Sequence, residues 1–359
     1  MIDAIYIHIP FCVKKCNYCD FVSFSNNKNR DLYIKYLIKE LKLYSNYVYD
    51  TVYIGGGTPS LLKIEEVKEI LNSINIAKNA EITFEINPKT VDYEKLKELK
   101  NLGINRVSIG CQSFNNETLK ILGRIHNSEI AIKTYKDARK AGFDNINLDL
   151  MFAVPGQTLK TLKKDLNVLE ELSPQHISIY SLILEENTKF WEMKKSGELN
   201  LVGEDLEAEM YKYIIEYLEN IGYNQYEISN FSKTNYESKH NLKYWRNQHY
   251  VGAGLGASGY IQNKRYKNEI TFEKYFEKID NKKFPIKEVE KLNDRHIEEY
   301  KYILGLRLVR EGVEILNSEY VEIAEKLIKR HLLNRIKNRY FLTKKGLFLA
   351  NDVFVEFIK

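Results

Sequence analysis

Three of the four cysteines fall within eight residues, as Cys12-Val-Lys-Lys-Cys16-Asn-Tyr-Cys19. The C-x3-C-x2-C spacing suits a cubane [4Fe–4S] cluster, with one thiolate on each of three irons. A closed electron-transfer cluster uses four cysteines, so a three-cysteine cluster leaves its last iron as an open Lewis-acid position for a small chelating molecule. Zinc is the other metal the set could hold, with His8 or Asp20 as fourth ligand. Zinc sites usually come as paired C-x2-C units, and no second unit follows. A closely spaced odd set of cysteines makes no disulfide framework. The remaining Cys111 ends an apolar run and reads as a small buried hydrophobe.

Other polar groups recur at one kind of place. Short apolar runs at 4–9, 51–54, 81–86, 105–110, 145–150 and 176–182 read as strands. The cysteine loop follows the first, and Gly55-Gly56-Gly57-Thr58-Pro59-Ser60 follows the second. The third carries Glu85 just before Asn87-Pro88, and the fourth ends in Gly110-Cys111-Gln112-Ser113. Asp149 interrupts the fifth, within Leu148-Asp149-Leu150, and Tyr180-Ser181 close the sixth. Taken singly, each has an ordinary reading as a tight turn, a backbone bond or a lysine pair. Packing alone does not demand a polar residue at the same end of every strand. Chemistry in parallel α/β barrels does, because it gathers at the C-terminal strand ends.

The elements that would position these groups follow from periodicity. Ile34, Leu37, Ile38 and Leu41 share one helix face, as do Ile64, Val67, Leu71 and Ile74, and then Leu159, Leu162, Leu166 and Leu169. Gly142 stands where a C-terminal helix cap belongs. Strand, helix and strand repeated in this way predict βαβ units, a parallel sheet and right-handed crossovers. Six such strands make a partial (β/α)6 barrel, TIM-like but two strands short of the full eight. A long helix is expected over 204–220, then an irregular aromatic and glycine-rich stretch over 223–260 and a charged linker over 280–287. Helices and a hairpin near 339–349 suggest a C-terminal helical, winged-helix-like appendage. The expected units are 1–200 for the barrel, 201–285 for its extension and 286–359 for the appendage.

Composition narrows the classes. The 359 residues are 44% hydrophobic, enough for a sizeable core, and the net charge of +5 is dispersed. Basic residues near the C-terminus (Lys329, Arg330, Arg335, Lys337, Arg339, Lys344, Lys345) could form a patch, but fold analogy alone assigns no function, so no nucleic-acid partner is expected. No run approaches the ~20 apolar residues of a membrane span, which leaves peripheral membrane contact and a homodimer open. The N-terminal residues lack the pattern of a signal peptide, and reduced cysteines agree with a cytoplasmic setting.

Together these motifs resemble the radical SAM superfamily, and within it the oxygen-independent coproporphyrinogen oxidase-like branch. Tyr6-Ile7-His8-Ile9-Pro10-Phe11-Cys12 and Gly55-Gly-Gly-Thr-Pro-Ser60 carry that likeness. The resemblance implies a [4Fe–4S] cluster on Cys12, Cys16 and Cys19, with S-adenosylmethionine (SAM) on the open iron and Tyr6 against both. It implies Gly56, Gly57 and Thr58 along the amino acid end of SAM, where glycine permits close backbone approach. Glu85 and Arg124 would bind the charged amino acid portion, and Gln112 and Asp149 the ribose; without the resemblance Arg124 reads as a surface charge. One departure matters. The branch's dehydrogenases, which decarboxylate coproporphyrinogen III, continue the motif as C-x3-C-x2-C-G-C, whereas Cys19-Asp20-Phe21 places Phe21 at the further cysteine. That ending, and His240-Asn-Leu-Lys-Tyr-Trp245, resemble a sister group of haem chaperones. The expected partners are then haem and acceptor haem proteins such as respiratory enzymes. Radical catalysis on coproporphyrinogen III or another substrate is the alternative. His240 is the candidate haem ligand, since imidazole is a common axial ligand and aromatic rings pack on a macrocycle. It could equally hydrogen-bond within a buried aromatic cluster, and His249 is a weaker candidate.

Overall fold

A computed structural model describes residues 2–359. The strands β1 (Ala4–Ile9), β2 (Val48–Gly56), β3 (Asn75–Ile86), β4 (Arg106–Gln112), β5 (Asn145–Phe152) and β6 (His176–Ser181) lie side by side in chain order, all parallel. Between them run α1 (Arg30–Lys42), α2 (Ile64–Asn72), α3 (Tyr93–Asn101), the pair α4 (Asn116–Leu122) and α5 (Ser128–Lys140), and α6 (Leu159–Leu172). Each crossover helix presents an apolar stripe to the sheet. On α6 the stripe is Leu162, Leu166 and Leu169, all buried, and its start is fixed by Thr158, whose side chain accepts the Thr161 N–H. Asp92, Asn115 and Asn127 cap α3, α4 and α5 in the same way. Gly142 follows α5 at φ +92, a left-handed position that stops the helix.

Strands buried on both faces need continuous apolar sequence, and Ile7, Val52, Ile54, Val107, Leu148 and Ile177 are fully buried. Burying each such side chain contributes roughly 1.5–3 kcal/mol, and together they hold the C-terminal strand ends in register. β2 and β3 begin earlier than their apolar runs because Val48 pairs with Asn75 ahead of a register shift between Tyr49 and Thr51.

The chain continues through α7 (Lys189–Lys195), α8 (Glu204–Asn220), β7 (Asn224–Glu227), β8 (Asn230–Ser232), α9 (Lys239–Trp245) and β9 (Val251–Ala253). The stretch expected to be irregular therefore extends the sheet at both edges, to the order β7-β8-β6-β5-β4-β3-β2-β1-β9. β8 joins β6 antiparallel, and β9 joins β1 parallel. Among the described residues no pairing joins β7 to β9, so the six-stranded run is a partial barrel with added edges. Next come β10 (Ser258–Ile261), β11 (Lys264–Asn268), α10 (Phe272–Asp280) and β12 (Ile286–Lys291), whose strands form a second, antiparallel sheet. The expected linker is thus partly ordered structure. Asp280 ends α10 and holds Tyr36 and Lys39 of α1, and β12 carries the second sheet across position 286.

The last elements are α11 (Asp294–Leu306), β13 (Val313–Glu314), α12 (Ser318–Lys329), β14 (Leu333–Ile336), β15 (Arg339–Leu342), α13 (Lys344–Phe348) and α14 (Ala350–Val355). They enclose their own core around Tyr302, Leu306, Tyr320, Leu327, Tyr340 and Phe357, and β14-β15 is the hairpin of a winged-helix-like unit. Several of its basic residues are spent in ion pairs, Arg330 with Glu356 and Arg335 with Glu325. No helix is long and apolar enough to cross a membrane among the described residues.

Candidate cluster and cofactor site

The loop after β1 is pinned at both ends. Cys12 N–H donates to Phe24 O at 3.0 Å and Phe24 N–H to Pro10 O at 2.8 Å. Midway, Asn17 donates through its backbone and side chain to Leu122 O and Ile121 O at the end of α4, and accepts from Phe190 N–H. Cys12 is buried, while Cys16 and Cys19 are half-buried. Burial pushes the Cys19 thiol up to about 11, and raises Cys12 also. A metal cation would reverse that, since it takes the place of the thiol protons.

The turn after β2 closes onto this loop. Gly57 N–H donates to Ile9 O at 2.8 Å, and a Cβ on Gly57 would lie 2.7 Å from Phe11 O and 3.0 Å from Cys12 Sγ. Gly56 sits at φ +115, with the His8 ring 2.7 Å from where its Cβ would be. Glycine is required here by space and by conformation. Thr58 Oγ1 donates to Cys12 Sγ at 3.5 Å.

The strand ends supply the charges. Glu85 accepts from Tyr53 Oη at 2.8 Å and from Gly56 N–H at 3.0 Å. Burial, and then the nearby Asp149 carboxylate, raise its carboxyl to about 7. Asp149 accepts from Ser108 Oγ at 3.0 Å and Asn147 Nδ2 at 2.7 Å; burial raises its carboxyl despite both donors. Arg124, beyond α4, bonds Asn87 Oδ1 and Gly110 O at 2.8 Å and reaches Cys16 Sγ at 3.4 Å. Burial opposes its charge, but Tyr18 and Cys16 beside it more than compensate. Gln112 lies at φ +66 where β4 bulges against β5, which turns its side chain into the space above the sheet.

Cys12, Cys16, Cys19, Gly56, Gly57, Thr58, Glu85, Gln112, Arg124 and Asp149 all line one cavity of about 380 Å³. Cys111 does not: it is fully buried within β4. Three thiols and no fourth therefore face the cavity, the donor set that a cluster with one open iron needs. No three His, Cys, Asp or Glu side chains among the described residues converge on a point that one ion could share, as a single zinc would require. His8 is engaged on both nitrogens, by Val22 O at 2.8 Å and Tyr6 Oη at 2.9 Å. Within the cavity the buried Glu85 and Arg124 set an acid and a guanidinium, a match for the ammonium and carboxylate of an amino acid.

Tyr6 and His240 stand elsewhere. Both line an adjoining cavity of about 450 Å³ that shares Asp20, Phe21, Tyr53, Gly56, Glu85 and Tyr180 with the first. His240 is fully buried on α9, whose first N–H groups donate to Glu81. Its Nδ1 is 2.9 Å from Thr51 Oγ1 and its Nε2 2.7 Å from Tyr244 Oη, and burial lowers its imidazole to about 3. Neither ring nitrogen is free for a metal in this arrangement. His249 stacks edge-on against Tyr260, outside the linings of both cavities.

Sequence reasoning missed the residues that hold these groups in place. Tyr53, Ser108 and Asn147 lie inside strand patterns that packing explains equally well. Arg106, almost wholly buried on β4, gave no signal at all.

The Radical SAM superfamily model matches residues 6–169. A haem chaperone HemW of Lactococcus lactis subsp. lactis (strain IL1403) is 38% identical, covering 99% of this chain and 97% of its own. HemW of Bacillus subtilis (strain 168) is 37% identical, covering 98% of both. Among solved structures, the coproporphyrinogen III oxidase HemN from Escherichia coli, a radical SAM enzyme, superposes with a TM-score of 0.85 over 99% of this chain and 90% of its own. At 21% identity that likeness speaks to the fold alone.

Proposed function

The chain belongs to the HemW haem chaperone family within the radical SAM superfamily, and on that premise we propose that it binds haem and passes it to haem-requiring acceptor proteins in the cytoplasm, respiratory enzymes among them. The observation that carries this reading is the pair of adjoining cavities. One gathers three thiols beside a glycine turn and an acid–base pair, and the other offers an aromatic wall with no cysteine. In the first, Cys12, Cys16 and Cys19 would hold a [4Fe–4S] cluster. SAM would lie on its open iron, with Gly56, Gly57 and Thr58 along the amino acid end, Glu85 and Arg124 on its charges, and Gln112 and Asp149 on the ribose. Such a cluster supplies one-electron chemistry to a bound sulfonium. The protein's part is to place donors, exclude water and hold Glu85 where an ammonium would draw off its proton.

Phe21 favours delivery of haem over oxidation of its precursor. It is 59% exposed at the rim shared by the two cavities, where a dehydrogenase of the branch has a cysteine. The test is to titrate anaerobically reconstituted protein with haem, mix it with an apo-acceptor, and follow the acceptor's own haem spectrum. A parallel assay supplies coproporphyrinogen III, SAM and reductant. A shifted Soret band and transfer, with coproporphyrinogen unchanged, is the expected result. SAM-dependent decarboxylation beyond one turnover would overturn it.

A further inference from the structure

The second cavity holds a hydroxyl whose hydrogen has nowhere else to go. At about 450 Å³ it falls within the size range of small-molecule sites, and Tyr6, Tyr53, Tyr244 and Tyr250 wall it with rings that suit a flat macrocycle. Lys267 is the one cationic side chain in its lining, placed for an anionic substituent of that macrocycle. Neither histidine there has a lone pair to offer. Val22 O only accepts, so the His8 proton sits on Nε2 and Nδ1 accepts from Tyr6.

The proton on His240 is placed by similar reasoning. Thr51 is buried, and His240 Nδ1 is the one partner of its hydroxyl among the described residues. If Thr51 accepted from Nδ1, its own hydrogen would be buried without an acceptor, the costlier defect. Thr51 therefore donates, Nδ1 accepts, and Nε2 carries the proton toward Tyr244 Oη at 2.7 Å. That leaves the Tyr244 hydroxyl hydrogen without an acceptor among the described residues, on a half-buried side chain that lines the cavity.

We infer that Tyr244, backed by His240, is the axial ligand for ferric haem, a reading that rests on the haem-binding function proposed above. The Tyr244 O–H bond breaks, an Fe–O bond forms, and the proton leaves to water. The iron stays ferric, so no reductant or oxidant is needed. Tyrosinate is an established haem ligand, and an outer partner that donates to it orients the ring and spreads its charge. His240 is then a positioning residue, held by Thr51 behind it.

The test is to titrate the cluster-loaded chain and its variants with ferric haem, and to record resonance Raman and electron paramagnetic resonance spectra. The expected wild-type spectrum is high-spin ferric with tyrosinate vibrations. Tyr244→Phe should abolish those vibrations and weaken binding about ten-fold or more. His240→Ala should keep them, shifted, with affinity down roughly ten-fold. Tyr217→Phe, which removes a hydroxyl on α8 outside the linings of both cavities, should leave the spectrum intact. Low-spin, nitrogen-ligated haem that survives Tyr244→Phe and is lost in His240→Ala would overturn the inference, as would equal loss in Tyr217→Phe. A wild-type chain that binds and transfers haem with no tyrosinate signature sinks this ligand alone. One that binds no haem sinks the proposed function with it.

Discussion

Glu85 is held protonated by two neighbours of unequal weight, first the burial around it and then the Asp149 carboxylate, which together lift its carboxyl to about 7. An unfolded chain releases the same proton near its ordinary value of 4.5. Between those values the folded chain binds a proton that the unfolded chain has lost, so stability falls as pH rises through that window. Above 7 both states are ionised and the loss is complete. Glu85→Gln removes this slope with little rearrangement, because the Tyr53 hydroxyl can rotate to accept from the new amide. Without cluster or SAM, the variant should gain on the parent by roughly 1–3 kcal/mol between pH 5 and 7.5, read from urea midpoints. Equal slopes in the two chains would mean that Glu85 titrates normally. This residue was legible in the sequence because a carboxylate inside an apolar strand stands out. Tyr244 was legible only as one letter of a motif, since its role depends on Thr51, far away in the chain and brought close by α9 packing against β2.

At the scale of elements, the turn after β2 decides whether the cysteine loop can close. A methyl group on Gly57 would meet Phe11 O at 2.7 Å, and backbone there cannot swing aside as a side-chain tip can. Gly57→Ala should therefore push the loop outward and lower iron from about four per chain after anaerobic reconstitution. Gly142→Ala provides the contrast. Its φ is positive, which that of Gly57 is not, but nothing lies within 4 Å of the added methyl, so it should lose only about 1 kcal/mol of stability and keep its iron. Equal iron in the two variants would rule out the close-approach argument. β1 to β6 were visible in the sequence because each is a short apolar run between amphipathic helices. β7, β8 and β9 were not, for a physical reason. Each has only three or four residues and borrows its stability from an existing sheet edge, which local pattern cannot show. The left-handed Gln112 was hidden likewise, because a bulge is a property of two strands in register.

For the whole molecule the question is how the C-terminal core is tied to the sheet that carries the site. Glu227 at the end of β7 is fully buried, with Arg307 just beyond α11 at 3.8 Å, and burial raises its carboxyl against the pull of that guanidinium. Arg307 also lies over the Trp245 ring of α9 at 4.4 Å, and Arg310 donates to Gln225 O at 3.0 Å. One arginine thus touches the sheet edge, the helix of Tyr244 and the C-terminal core together. Arg307→Ala would leave a buried carboxylate facing no countercharge, which costs more than the pair itself contributes. Because Arg307 is partly exposed, water recovers some of that loss, and the expected destabilisation is about 2–3 kcal/mol. Glu227→Gln on the same background should restore at least half, because it removes the stranded charge and keeps an acceptor for Ser229 N–H. The check is urea unfolding followed by tryptophan fluorescence and by far-ultraviolet circular dichroism. In the parent the two signals should fall together. In Arg307→Ala the fluorescence, recorded on a Trp191→Phe background so that it reports on Trp245, should change at lower urea as the C-terminal core lets go of α9. Coincident, unshifted transitions would show that the two cores are tied by their apolar contact instead.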